Sequence, residues 1–150
     1  MKQYLEIKLP DGKVKTFDVG VLEGLGRQIY LGVVGNNRVE TMTNPSLEFR
    51  QLGIVAVDNG VVYVRATASP YNVYCVVPRS VQDPRETSRL ESRDTGVALP
   101  LFRLNAENLK GYFRLAKEIA DTGYFFEIRA RSEQPSDRLE TVLQRYQPFS

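Results

Sequence analysis

Leu5, Ile7 and Leu9 alternate with Glu6 and Lys8, and an apolar–polar period of two marks a strand with one buried face. Pro10-Asp11-Gly12 breaks the pattern, which resumes from Val14 to Val19. Asp-Gly between two such runs predicts a hairpin, because glycine supplies the positive φ that a tight turn needs. Residues 28–34 read as a third strand with Ile29, Leu31 and Val33 on one face, and residues 38–42 as a fourth after the Gly35-Asn36-Asn37 turn. Asn44-Pro45-Ser46 turns the chain again. Residues 52–57 and 61–67 flank Asp58-Asn59-Gly60 as a second hairpin, and residues 73–77 form a further apolar strand. Short strands with turns at close intervals predict a sandwich or barrel for residues 1–77, rather than alternating βαβ units.

The texture changes at Pro78. Residues 78–96 mix Arg79, Arg85, Arg89 and Arg93 with Asp83, Glu86, Glu91 and Asp94 around few apolar anchors, which predicts a solvated loop. Residues 97–104 resemble a strand that Pro100 confines to a sheet edge. Leu109, Tyr112, Phe113, Ala116, Ile119 and Ala120 follow the i, i+3, i+4 spacing of a buried helix face, so residues 105–122 are expected to be helical, capped by Asn105 and stopped by Gly123. Residues 124–131 return to period two: Tyr124, Phe126, Ile128 and Ala130 belong to one face, and Phe125, Glu127, Arg129 and Arg131 to the other. Asp137 and Glu140 are spaced as a capping box for a last helix, with Leu139, Val142, Leu143 and Tyr146 as its stripe. The expected class is mainly β (α+β): one domain over residues 1–150, an antiparallel β-sandwich with one or two C-terminal helices packed on it.

Composition narrows the chemistry. The 150 residues include no His, one Cys and a net charge of +2. Without histidine the chain lacks the usual general base and the commonest metal ligand, so triad hydrolysis and zinc hydrolysis each lose a required part. Cys75 has no partner for an internal disulfide, and its apolar neighbours Tyr74, Val76 and Val77 mark it as a buried small hydrophobe rather than a nucleophile. A lone thiol, and an N-terminus already strand-like, fit a cytoplasmic protein without a leader. No apolar run is long enough for a membrane span.

Other candidate motifs resolve as ordinary structure. The glycines at 20, 24 and 26 lead into a strand rather than a helix, which disfavours a phosphate loop and favours a turn. The pairs Asp83/Glu86 and Glu91/Asp94 lie among arginines, so they read as ion pairs rather than acid–base pairs. No calcium-loop spacing is present. No cofactor, metal or catalytic constellation is expected. Phe125, Arg129 and Arg131 on one strand face could stack on and pair with RNA or single-stranded DNA, joined by the arginines between 79 and 93. Glu127 among them, and the small net charge, weigh against that.

Residues 28–77 resemble the central part of a forkhead-associated domain, a β-sandwich that reads phosphothreonine peptides. The blocks that carry the likeness are Tyr30-Leu31-Gly32-Val33, then Asn44-Pro45-Ser46-Leu47-Glu48-Phe49-Arg50-Gln51-Leu52, the hairpin at Asn59-Gly60, and Ala68-Ser69-Pro70-Tyr71-Asn72-Val73-Tyr74. The family's functional positions mostly differ here. Its phosphate-binding arginine falls on Val33, its peptide-holding serine on Glu48 and its structural histidine on Gln51. Ser69 is retained, the next asparagine position is Tyr71, and Asn72 lies one place late. The resemblance therefore implies the sandwich but not ordinary phosphopeptide reading.

These features together predict a non-catalytic protein-interaction or assembly module. By the resemblance, its contacts with another protein fall at one loop end: Val33, Asn36, Asn37, Arg38, Glu48, Arg50, Ser69, Tyr71 and Asn72. The stripe from Leu139 to Tyr146 offers a route to a homo-oligomer. The nucleic-acid surface of Phe125, Arg129 and Arg131 is the alternative.

Overall fold

The computed structural model describes residues 2–78, 88–105 and 110–132. Eleven strands and one short helix are formed by these residues. One sheet has six strands in the order β2 (Val14–Asp18), β1 (Gln3–Lys8), β11 (Tyr124–Ser132), β10 (Lys110–Ala116), β7 (Asn72–Pro78) and β8 (Ser88–Arg93). The other has five, in the order β4 (Arg38–Met42), β3 (Ile29–Val34), β5 (Arg50–Asp58), β6 (Val61–Ala66) and β9 (Leu99–Arg103). Paired strands in both are antiparallel. The two sheets form a β-sandwich-like fold.

The core follows from the alternation. Leu5 and Ile7 of β1, Phe113 and Leu115 of β10, Phe126 and Ile128 of β11, and Val73, Cys75 and Val77 of β7 line the inner face of the larger sheet. They meet Ile29 and Leu31 of β3, Val55 and Val57 of β5, Val62 and Val64 of β6, and Leu99, Leu101 and Phe102 of β9. Phe113 and Phe126 stack at 5.0 Å between ring centroids. Two glycines bring the sheets close. A Cβ on Gly53 would lie 2.9 Å from a Leu115 methyl, and one on Gly111 would lie 3.3 Å from the Phe102 ring. Each glycine thus accepts a large side chain from the opposite sheet.

Both expected hairpins form, at residues 9–13 and at Asp58-Asn59-Gly60. Asn59 and Gly60 both take positive φ, as such a turn requires. β9 ends its sheet, and its register against β6 shifts where Pro100 stands, since proline has no N–H to offer a neighbour.

Three expectations are corrected. The described part of residues 105–122 is not helical; its central segment is β10, hydrogen-bonded between β7 and β11. The apolar spacing there fits both periods. As a strand it sends Gly111, Phe113 and Leu115 inward and Lys110, Tyr112 and Arg114 outward. A helix in that place would leave the facing backbone groups of β7 and β11 unpaired. The charged segment 78–96 is not a loop throughout, since residues 88–93 are β8. Its alternation is hidden because an edge strand carries polar residues on both faces. The glycine-rich turn is instead the helix α1 (Val19–Gly24), whose first turn Asp18 caps by accepting from the Gly20 N–H at 2.8 Å. Val19 and Leu22 bury its inner side, and Glu23 accepts from the Gly60 N–H at 2.9 Å, tying α1 to the β5–β6 turn. The last expected helix, with Leu139 to Tyr146, and the pair Asp83/Glu86 lie outside the described residues.

Cys75 is inert by position. Burial first, and then the Glu91 carboxylate, push its thiol up to about 12, against a small opposing effect of Arg93. Glu91 points to the same side of the sheet as Cys75, its register partner. Its carboxylate is held by Arg89 and, at 3.1 Å, by Arg93.

Two measurements check this packing. Gly123 and Gly35 share nearly the same φ (+55° and +57°), but a Cβ on Gly123 would press on the Leu115 carbonyl and approach the Ala116 Cβ to 2.6 Å, while Gly35 faces open space. Gly35→Ala should cost about 1 kcal/mol and Gly123→Ala about 3 kcal/mol in urea unfolding. Equal costs would refute the tight β10–β11 turn. The second concerns pH. A folded thiol at about 12, against 9.0 for the free group, stays protonated while the unfolded chain ionises. Stability should therefore fall as pH rises above the free value. The wild type should lose up to about 1.4 kcal/mol per pH unit relative to Cys75→Val across that window.

Candidate functional site

The strand registers bring the loop-end residues toward one end of the sandwich. Val34 pairs with Arg38 and Val33 with Arg50, so the turn holding Asn36 and Asn37 sits beside the start of β5. The Thr67 N–H donates to the Leu52 carbonyl, and Gln51 donates to the Thr67 hydroxyl at 3.0 Å, bringing the segment with Ser69 alongside. Asn36, Asn37, Arg38, Glu48, Arg50 and Ser69 are exposed. Val33 is not: at 4% exposure it belongs to the core, and a partner could not reach its side chain.

Part of this end is already occupied. Tyr71 is half-buried against Tyr124, with the Lys117 ammonium 5.7 Å from its ring. Its carbonyl accepts from the Thr95 hydroxyl. The Asn72 amide donates to the Tyr74 hydroxyl at 3.3 Å and the Lys117 carbonyl at 3.4 Å. Tyr71 and Asn72 thus knit the end together rather than lie open.

The outer face of the six-stranded sheet is different. Its period-two positions are set by β10, β11, β7 and β8. Tyr112 stands across from Val76, and Val76 across from Leu90. In the neighbouring row Phe125 stands across from Arg114, and Arg114 from Tyr74. Tyr112 is 41% exposed, Phe125 51%, Val76 54% and Leu90 55%. Tyr112 and Phe125 stack at 5.9 Å. Side chains of this kind, adjacent on four successive strands, make a continuous apolar strip on the surface.

Cations surround the strip, and most are already engaged. Lys110 lies 2.8 Å from Glu127 and 5.2 Å from the Tyr112 ring centre. The Glu127 hydrogen bond, then that of Tyr112, raises the Lys110 pKa. Glu6 lies 2.9 Å from Arg129, whose pKa it raises, and 3.6 Å from Arg131. Arg131 also lies over Tyr4 at 5.2 Å. Arg114 sits 5.6 Å from the Tyr74 ring and donates to the Ile119 carbonyl at 2.8 Å.

Phe125, Arg129 and Arg131 do share this face. Along the strand, however, the arginines lie toward Glu6, while Phe125 joins Tyr112 and Arg114. Tyr112, Val76, Leu90, Lys110 and Arg114 were not among the sequence-derived site residues. The signal that could have found the β10 members is the alternation of Lys110, Tyr112 and Arg114 with Gly111, Phe113 and Leu115.

On the other sheet, a cleft of about 420 Å³ opens beside α1, lined among others by Arg27, Ile54, Tyr63 and Arg65. Among the described residues, no group of three or more His, Cys, Asp or Glu side chains could hold a metal ion. No helix among them is long and apolar enough to cross a membrane.

Comparison with known proteins gives little. No protein-family model and no curated protein matches the chain. Among solved structures, a chain in the crystal structure of STAT2 in complex with IRF9 is similar at a TM-score of 0.49 and 11% identity, covering 86% of this chain and 90% of that chain.

Proposed function

We propose that this chain is a non-catalytic protein-interaction module that docks its partner on the outer face of the six-stranded sheet. The observation that carries this reading is the exposed strip of Phe125, Tyr112, Val76 and Leu90. Contiguous exposed apolar surface on a folded domain commonly marks an interaction site, and rigid aromatic residues are the usual anchors of such sites. The ion pairs of Glu6 and Glu127 support it further, since cations already matched to carboxylates have less to offer a polyanion.

The forkhead-associated likeness enters only as architecture. A buried Val33 at the phosphate arginine's position, and Glu48 at the serine's, argue against phosphothreonine reading. The loop end is thus the lesser candidate surface. A lone buried thiol supports a cytoplasmic setting.

The stacked Tyr112–Phe125 pair with Lys110 and Arg114 beside it favours one second reading, a platform for RNA or single-stranded DNA.

Affinity capture with tagged protein separates the surfaces. The wild type should retain a stoichiometric partner, and Tyr112→Ala with Phe125→Ala should weaken it about thirtyfold or more while the fold persists by circular dichroism. Asn36→Ala with Asn37→Ala should leave it unchanged. Loss in the asparagine variant alone would move the site to the loop end, and no partner at all would sink the reading. Fluorescence anisotropy with single-stranded oligonucleotides tests the second reading. Two phosphate contacts would lose roughly sevenfold in affinity between about 50 and 200 mM salt. No binding at the lower salt removes that reading.

A further inference from the structure

The apolar strip does not stop inside the sheet. It runs from Phe125 and Tyr112 through Val76 to Leu90, and Leu90 belongs to β8, the outermost strand at that side of the sheet among the described residues. A strand in that place has a neighbour on one side only, so alternate backbone N–H and C=O groups face away from β7. On its other face β8 carries Arg89, Glu91 and Arg93, all on the side of Cys75. The single Glu91 carboxylate is shared by both guanidinium groups, and the arginine side chains remain 58% and 40% exposed. Among the described residues, the edge therefore presents an apolar residue on one face and a net positive charge on the other.

From this juxtaposition, and resting on the protein-interaction reading above, we propose that the partner adds to β8 as an extended strand whose side chains alternate between apolar and acidic. Strand addition takes its affinity from main-chain hydrogen bonds and its specificity from alternate side chains. The alternation follows from the pleat. Side chains of an added strand that fall on the outer face lie beside Leu90 and extend the strip. Those on the other face lie beside Arg89, Glu91 and Arg93, where a carboxylate meets a strand carrying two arginines to one carboxylate. A basic residue there meets like charge, which is destabilising for directly opposed positions.

The test uses the whole chain and a capped peptide of about eight residues alternating valine and glutamate, with a valine–lysine peptide as control. The valine–glutamate peptide should bind and slow hydrogen exchange at β8 amides, and the valine–lysine peptide should not. Arg89→Glu with Arg93→Glu should weaken binding about tenfold or more. Because that variant also strips Glu91 of its partners, the same peptide with alternate backbone nitrogens methylated provides a check that leaves the protein intact. The methyl groups should abolish binding in one of the two possible registers. Binding without protection of β8, or binding indifferent to methylation in both registers, would overturn strand addition and leave the sheet-face reading standing. So would a chain that dimerises through β8 without peptide, seen by sedimentation and exchange together. Failure of the valine–glutamate peptide, where Tyr112→Ala with Phe125→Ala still releases the captured partner, would also overturn it. A partner retained by that double variant would instead refute the sheet-face reading itself.

Discussion

The close approach of the two sheets at Gly53 and Gly111 is the constraint on which the rest depends. Leu115 of β10 reaches over Gly53 of β5, and Phe102 of β9 reaches toward Gly111 of β10. Each contact needs the absence of a side chain on one sheet and a large apolar one on the other. Together they lock β10 by its inner face. Its neighbours β7 and β11 lock its edges through backbone hydrogen bonds. Once Gly111, Phe113 and Leu115 point inward, the pleat leaves Lys110, Tyr112 and Arg114 no direction but outward.

The character of the outer face follows. β10 lies between β11 and β7, so its exposed residues become the middle of a surface assembled from segments distant in sequence. Phe125 comes from β11, Val76 from β7 and Leu90 from β8. The charges on this face are arranged by the same registers. Glu6 stands across from Arg129, and Glu127 across from Lys8. These pairs are exposed and contribute little to stability. Their effect is on recognition: they reduce the local positive field and leave the apolar strip as the dominant feature. At the β8 edge, as at Glu6, two arginines share one carboxylate.

The two edges of the sandwich show how a small number of ionic and capping contacts finish what the core begins. Lys15 of β2 reaches Glu40 of β4 at 3.7 Å, joining the edge strands of opposite sheets, and Arg38 meets the same carboxylate at 3.4 Å. Toward the β5–β6 turn, α1 drops Leu22 into the core and is pinned by Glu23 to Gly60. This short helix is too brief to be stable alone. It exists because its buried face and its Asp18 cap both find partners in the folded molecule.

The sequence by itself determined the features that depend on neighbours along the chain. Asp11-Gly12 and Asn59-Gly60 make their hairpins because few other residues accept those backbone angles. Leu5/Ile7 and Phe126/Ile128 face inward because period two admits no other arrangement in a strand. That alternation also placed Phe125, Arg129 and Arg131 on one face. Tertiary structure alone decided where two local patterns compete. Residues 109–120 satisfy a helical stripe, but Lys110–Ala116 within them also alternate as a strand, and the open edges of β7 and β11 selected the strand there. The charges of β8 have no local pattern that distinguishes a loop from an edge. Tyr112 became the neighbour of Phe125 only through strand pairing, a contact between distant segments that no local period encodes, and so the strip at the centre of the proposed site was not legible in the chain.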